Sequence, residues 1–272
     1  MKPPAKSWHR PVARTYFYRN EANCEKNMDI FLRCIDAVAG ATYGTGFAAI
    51  KLTALGRPGT SFLFCFVLFC FALKFHQILS FSLELLLQLS EVIARCRNYF
   101  QEITGKDTMV FGDVTPEQFK QQLGDRFNAL NTDDNPEVGA FVRRMDYDTR
   151  GLMNLFSWNG LIEMRTLVSD LFLVPNLKTG RLERIINALS SEEEEMFRNM
   201  MRRVHTIAKA ATERDVRVLV DAEQTYFQPA INRITLELMR KYNKEKAIIF
   251  NTYQCYLKVS VGAQSREKRM AT

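Results

Sequence analysis

The 272-residue sequence has few of the residues that build metal sites and disulfide frameworks. Its three histidines, His9, His76 and His205, are far apart, and its six cysteines stand at irregular spacing without a CxxC pair. Zinc sites and disulfide scaffolds draw on closely spaced or regularly paired ligands. We therefore predict no metal site, and the unpaired spacing of the cysteines favours a reducing environment.

The sequence also lacks a concentrated run of one charge. Its 37 Lys and Arg residues outnumber 30 Asp and Glu residues, for a net charge of +7, but no five basic residues follow one another. Nucleic-acid-binding proteins cluster their basic residues along one face or segment. The spread of charge predicts a generally cationic protein with no nucleic-acid partner.

One segment is strongly apolar but short for a membrane span. Phe62 to Leu73 would rise about 18 Å as a helix, against roughly 30 Å of bilayer hydrocarbon. Extending the segment to Leu83 adds Lys74 and His76, and both are costly in the middle of a bilayer. A segment outside the membrane is the favoured interpretation, and a transmembrane helix is the alternative.

The remaining pattern alternates helices with buried strands. Continuous apolar runs predict strands at 46–55, 215–221 and 247–254. Apolar residues at helical spacing predict helices at about 21–39, 85–97 and 232–242. Helix and strand in this order are typical of parallel α/β units.

A further helix should begin at a capping box formed by Ser190 and Glu193. Its apolar stripe, including Met196 and Met200, is interpreted as packing, and His205 on the same helix as a boundary residue instead of a base. The region from 105 to 182 is turn-rich and helical in character, with Thr115 and Asp125 as candidate helix N-caps.

Each predicted strand ends in a polar side chain. Lys51 lies on the first strand, Asp221 ends the second, and Gln254 ends the third. Parallel α/β barrels place their chemistry at the carboxyl ends of strands, so a cation, a carboxylate and an amide converging there would form a site. Alternatively, Lys51 is a buried cation paired with a nearby acid.

Three strings around these residues carry a family resemblance. Residues 50–55 (IKLTAL), 220–228 (VDAEQTYFQ) and 250–257 (FNTYQCYL) resemble the first three barrel strands of the animal mitochondrial proline dehydrogenases. The resemblance extends over roughly residues 12–58 and 85–258. It implies an α/β fold, specifically a partial (βα)8 barrel of the proline dehydrogenase type with the first three strands and a large helical insertion.

The resemblance also implies an activity. The family oxidises L-proline to 1-pyrroline-5-carboxylate in proline catabolism with FAD as cofactor, and passes the electrons to a quinone at the matrix side of the mitochondrial inner membrane. Two alternatives stay open: a hydroxyproline dehydrogenase, and a non-catalytic fragment.

Site roles follow from the same resemblance. Lys51 would hold the substrate carboxylate, and Asp221 matches the active-site carboxylate near the flavin. Gln254 matches the amide that hydrogen-bonds the flavin edge. Glu21 matches the acid that pairs with a substrate-binding arginine to gate the site.

The resemblance divides the chain into five segments. They are an N-terminal segment with the first strand (1–58), an apolar insert (59–84), a helical insertion (85–212), the second and third strands (213–258) and a tail unlike the family (259–272). Because the family's later strands and paired arginines would follow residue 258, we expect this chain to be too incomplete for the chemistry alone. We interpret the insert and the tail as read-through introns, which a spliced transcript retaining both would contradict.

The helical insertion contains a degenerate EF-hand loop. Residues 146–157 have its first, third and sixth positions, but Arg150 and Ser157 replace two oxygen ligands. A helical hairpin without calcium is the favoured interpretation.

Overall fold

The structure is a computed structural model that describes residues 21–56, 81–105, 116–128, 136–144, 146–147, 153–154 and 156–256. Most of the apolar insert, the candidate cap Thr115 and the tail after residue 258 lie outside the described residues. Within them, no helix is both long enough and apolar enough to cross a membrane.

Helices dominate the described part of the chain. The α-helices are α1 (Glu21–Thr42), α2 (Phe81–Thr104), α3 (Pro116–Asn128), α4 (Pro136–Arg144), α5 (Trp158–Ile162), α6 (Val168–Leu171), α7 (Ser191–Glu213) and α8 (Gln228–Tyr242). The strands are β1 (Phe47–Ile50), β2 (Asp146–Tyr147), β3 (Met153–Asn154), β4 (Leu173–Pro175), β5 (Leu182–Arg184), β6 (Arg217–Val220) and β7 (Ile249–Asn251).

The three predicted strands form one parallel sheet in the order β1-β6-β7. Helix α1 packs on β1, α7 on β6, and α8 on β7. The expected α/β arrangement of helices around a small parallel sheet is confirmed.

Side chains of the sheet alternate between a covered and an open face. Ala48, Ile50, Val218 and Val220 are buried, whereas Phe47 is half exposed. We call the side bearing Phe47, Ala49, Leu219 and Phe250 the open face; Phe47 and Phe250 meet there edge to face with ring centroids 6.0 Å apart. Since side chains in a strand alternate with a period of two, Lys51 and Asp221 continue the open face.

The strands are shorter than their apolar runs predict. The first ends at Ile50, and residues Leu52–Ala54 form a 3₁₀ helix closed by Ala54 N–H donating to the Lys51 carbonyl at 3.1 Å. Leu52 and Leu55 are fully buried in this turn. Their burial in a turn explains an apolar run that extends beyond the strand.

Helix α7 begins where the capping box predicts. Ser190 Oγ accepts from the Glu193 amide at 3.2 Å, and Glu193 Oε2 accepts from the Ser190 amide at 2.7 Å. The predicted stripe of Met196 and Met200 is buried against the rest of the core. The packing interpretation of that stripe is confirmed.

The insertion between β1 and β6 is less purely helical than expected. Two short antiparallel pairs, β2 with β3 and β4 with β5, lie within it. The β2–β3 pair joins residues 146–147 and 153–154 of the EF-hand-like loop, and residues 148–152 between them lie outside the described residues. The N-cap prediction for Asp125 is wrong, because α3 continues through it with Phe119, Leu123 and Phe127 buried on one stripe.

Candidate active site

The ends of β1 and β6 bring Lys51 and Asp221 together. Val220 pairs with Ile50 in the parallel ladder, and the Asp221 amide donates to the Ile50 carbonyl at 2.8 Å. One residue farther along each strand, Lys51 Nζ lies 2.8 Å from Asp221 Oδ2. The two side chains are 42% and 40% exposed, so this ion pair is accessible to a ligand.

Gln254 reaches the same edge of the sheet from the third strand. Its Nε2 donates to the Glu223 carbonyl at 2.9 Å, two residues after Asp221. The three strand-end residues expected from the sequence therefore come together at one edge. Their chemical roles remain predictions.

Glu223 is a residue of this edge that the sequence analysis missed. Its Oε2 accepts from Thr53 Oγ1 at 2.7 Å, and its Oε1 accepts from the Thr53 amide at 3.3 Å. Burial raises the pKa of the Glu223 carboxyl, while the two hydrogen bonds from Thr53 and the charge of Lys51 act in the opposite direction. A sequence signal existed, since Glu223 is two residues beyond Asp221 and so shares its face of the extended chain.

Glu21, the predicted gate acid, lies at the start of α1 and pairs with Arg203 of α7. The Arg203 side chain is 1% exposed; its Nε lies 2.8 Å from Glu25 Oε1, and its Nη1 donates to the Leu55 carbonyl at 2.7 Å. Burial lowers the pKa of Arg203 to about 10, so the guanidinium stays protonated at neutral pH. Glu21 thus has a partner within this chain, and a gating role stays a prediction.

Comparison with known families identifies the family of the chain. The family model described as proline dehydrogenase matches residues 21–272. The chain belongs to the proline dehydrogenase family.

Its relatives place the resemblance mainly among mitochondrial enzymes. The chain is 47% identical to "Proline dehydrogenase 1, mitochondrial" of Drosophila melanogaster over 90% of its own length and 34% of that protein. It is 42% identical to the protein of the same name from Caenorhabditis elegans, over 95% of the chain and 38% of that protein. "Hydroxyproline dehydrogenase" of Xenopus laevis is 49% identical over a shorter region, 29% of this chain and 17% of that protein.

The chain therefore spans about a third of the length of the curated mitochondrial relatives it matches. No solved structure gives a significant match to it. Membership of the proline dehydrogenase family rests on sequence similarity that runs through β1, β6 and β7.

His205 lies on α7 as a boundary residue, as expected. Its Nε2 is 2.6 Å from the Ile162 carbonyl, and its Nδ1 is 2.9 Å from the Tyr242 hydroxyl. Because Nε2 faces a carbonyl it carries the proton, which leaves Nδ1 to accept from Tyr242. Burial lowers the pKa of His205. In the described ranges, no group of three His, Cys, Asp or Glu side chains could hold a metal ion.

Proposed function

We propose that this member of the proline dehydrogenase family takes part in the FAD-dependent oxidation of L-proline to 1-pyrroline-5-carboxylate in proline catabolism. The observation that carries the proposal is the accessible Lys51–Asp221 pair at the carboxyl ends of neighbouring parallel strands. The similarity to relatives named proline dehydrogenase covers most of the chain, whereas the similarity to a hydroxyproline dehydrogenase covers less than a third.

The open face of the sheet fits the cofactor proposed here. Ala49 and Leu219 give this face an apolar surface, and it ends in the charged pair Lys51–Asp221 and the amide of Gln254. A flavin ring has the same division, an apolar plane with polar edges. Ala49, Leu219 and the amide of Gln254 would hold the flavin, and FAD would supply the hydride acceptor for oxidation at the ring carbon next to the proline nitrogen.

Lys51 and Asp221 would position the substrate. The ammonium of Lys51 attracts the proline carboxylate, and its exposed fraction leaves room for that contact beside Asp221. Asp221 keeps Lys51 at the strand end, because its own backbone is fixed to Ile50. Oxidation removes a hydride from carbon and a proton from nitrogen, which gives the cyclic imine.

Glu21 is proposed as the gate acid, and its present partner is compatible with that role. Arg203 is held by Glu25 and by the Leu55 carbonyl as well as by Glu21. If Glu21 turned toward another arginine, the guanidinium of Arg203 would still be paired. Glu21 could therefore move without leaving a buried charge alone.

The proposed architecture is the beginning of a (βα)8 barrel. Three parallel strands with helices on one face and an open apolar face on the other have the geometry of a barrel wall. The five segments 1–58, 59–84, 85–212, 213–258 and 259–272 remain the proposed division of the chain. By likeness to its relatives, the protein would act in the mitochondrion, on the matrix side of the inner membrane, with a quinone as electron acceptor.

The test measures flavin binding and turnover in the purified chain. FAD is added, free flavin is removed, and the visible flavin absorbance of the protein is recorded before and after L-proline and an artificial electron acceptor. The same assay is repeated with 4-hydroxyproline.

Bound flavin that is bleached by proline supports the proposal, and faster bleaching by 4-hydroxyproline would favour the hydroxyproline alternative. Bound flavin without turnover supports a flavin-site fragment. A chain that retains no flavin contradicts the proposal and leaves the non-catalytic fragment. Lys51→Met is the matched variant, since it keeps an unbranched side chain, shorter by the terminal ammonium group, and removes its charge.

A further inference from the structure

Beyond the ends of β1 and β6, two successive pairs of residues are in contact through their side chains. The ladder pairs Ile50 with Val220. Two side-chain contacts continue the ladder at the same sequence separation: Lys51 with Asp221, and Thr53 with Glu223. Thr53 and Glu223 are 170 residues apart. The parallel register thus persists through side chains after backbone pairing has ended.

Glu223 holds the turn after β1 in two places. Its carboxylate accepts from both the amide and the hydroxyl of Thr53, the middle residue of the 3₁₀ helix. Lys51 is the N-cap of that helix, so a bond at Thr53 restrains the backbone that carries the Lys51 side chain. Burial of Glu223 strengthens this restraint, since hydrogen bonds to a charged acceptor are stronger away from water.

The backbone of Glu223 fixes two other elements. Its carbonyl accepts from Gln254 Nε2 at 2.9 Å, and its amide donates to Gln228 Oε1 at 2.9 Å. Gln228 is the first residue of α8. One residue therefore ties together the turn after β1, the segment after β7 and the start of the helix that follows β6.

We propose that Glu223 is a positioning residue that sets the Lys51–Asp221 pair in register, acting through Thr53. The inference deepens the proposed function, because the pair it positions is the proposed substrate contact. Glu223 itself faces Thr53, and we propose no contact between Glu223 and the substrate.

The experiment measures the NMR signal of the Lys51 side chain in the protein without cofactor. Lysines of the full chain are labelled by reductive ¹³C-methylation, and the Lys51 signal is assigned with Lys51→Arg. Asp221→Asn gives the position of that signal when the ion pair is removed. The variants are Glu223→Ala, Glu223→Gln and Thr53→Val, with the exposed Glu245→Ala as the matched control.

In Glu223→Ala we expect the Lys51 signal to move toward its position in Asp221→Asn, and the Thr53 amide to exchange with solvent about tenfold faster because it loses its acceptor. Thr53→Val, which removes one hydrogen bond without a cavity, should move the signal in the same direction. Glu223→Gln should restore much of the wild-type position, since its amide oxygen can still accept from Thr53 N–H. Glu245→Ala should leave both readings unchanged.

A Lys51 signal that stays at its wild-type position in both Glu223→Ala and Thr53→Val overturns the proposal, whatever happens to the melting temperature. If Glu223→Ala does not fold, Thr53→Val decides alone. Failure of the chain to bind flavin would count against the proposed function but would not affect the proposed positioning role of Glu223.

Discussion

Arg202 and Arg203 are neighbours on α7 with opposite surroundings. The Arg202 side chain is 46% exposed and pairs with Glu25, whereas the Arg203 side chain is 1% exposed between α1 and the Leu55 carbonyl. A solvated ion pair adds little to stability, but removal of one partner of a buried pair is costly. The contrast allows a matched test of what the buried arginine contributes.

We predict that Arg203→Leu lowers the free energy of unfolding by about 2 kcal/mol, because Glu21 and the Leu55 carbonyl lose their buried donor while Glu25 keeps Arg202 as a partner. Arg202→Leu should lower it by about 0.5 kcal/mol. Urea unfolding followed by circular dichroism measures both. Equal losses would show that burial of Arg203 carries no special weight.

His205 makes the stability of the fold depend on pH. Its folded pKa lies below the ordinary value of 6.5, so the unfolded chain binds the proton more readily than the fold does. The stability that neutral His205 provides is fully present above pH 6.5 and is lost as the pH falls from there through the folded pKa. Two charged groups act on His205: Lys241 lowers its pKa, and Glu163 raises it.

We predict that His205→Gln removes this dependence. A glutamine can donate to the Ile162 carbonyl and accept from Tyr242, as the neutral imidazole does, but it does not titrate. The difference in unfolding free energy between wild type and variant should therefore change below pH 6.5 in the direction of a less stable wild type. Parallel curves across that range would contradict the assignment.

At the scale of the element, helix α7 depends on how its first turn is capped. The amides of an N-terminal turn have no partner within the helix, and Ser190 and Glu193 satisfy two of them. We predict that Ser190→Ala destabilises the protein by about 1 kcal/mol in thermal unfolding. Ser191→Ala, an exposed change one residue inside the helix, is the control and should be close to neutral; an equal loss there would contradict the capping role.

The same elements show how much of the structure can be predicted from the sequence. Apolar runs located β1, β6 and β7, and the order of helices and strands predicted that they are parallel. The pattern could not tell a buried strand from a buried turn, so Leu52 and Leu55 extended the first strand too far. Proximity of Lys51 and Asp221 followed from parallel strand ends, but the Thr53–Glu223 contact depends on a register that no local pattern specifies.

At the scale of the whole molecule, the sheet has a mainly apolar face that the described helices do not cover, with the Arg217 guanidinium lying over the Phe47 ring. Within the described residues β1 and β7 are its outer strands, and Phe47, Leu219 and Phe250 lie on the open face. Open strand edges and contiguous apolar surface favour association with other chains. The sequence located the strands of this surface, whereas which side of each strand is open became visible only with the helices in place.

We predict that the chain associates with itself as its concentration rises, and that Leu219→Lys reduces this association. Sedimentation velocity over a range of concentrations measures it. Asn98→Lys adds the same charge at an exposed position of α2 and should have little effect. Association that both variants reduce equally would reflect net charge and not the open face.

The proposed flavin and proline site lies at the carboxyl ends of β1, β6 and β7. The most direct measurement is an NMR titration of the ¹⁵N-labelled chain with FAD, compared with the same titration of Gln254→Ala. We predict that the largest shifts fall on the amides near Lys51, Asp221 and Gln254, and that the variant binds FAD more weakly. Shifts that fall on other parts of the chain, or no shifts at saturating FAD, would contradict a flavin site at these strand ends.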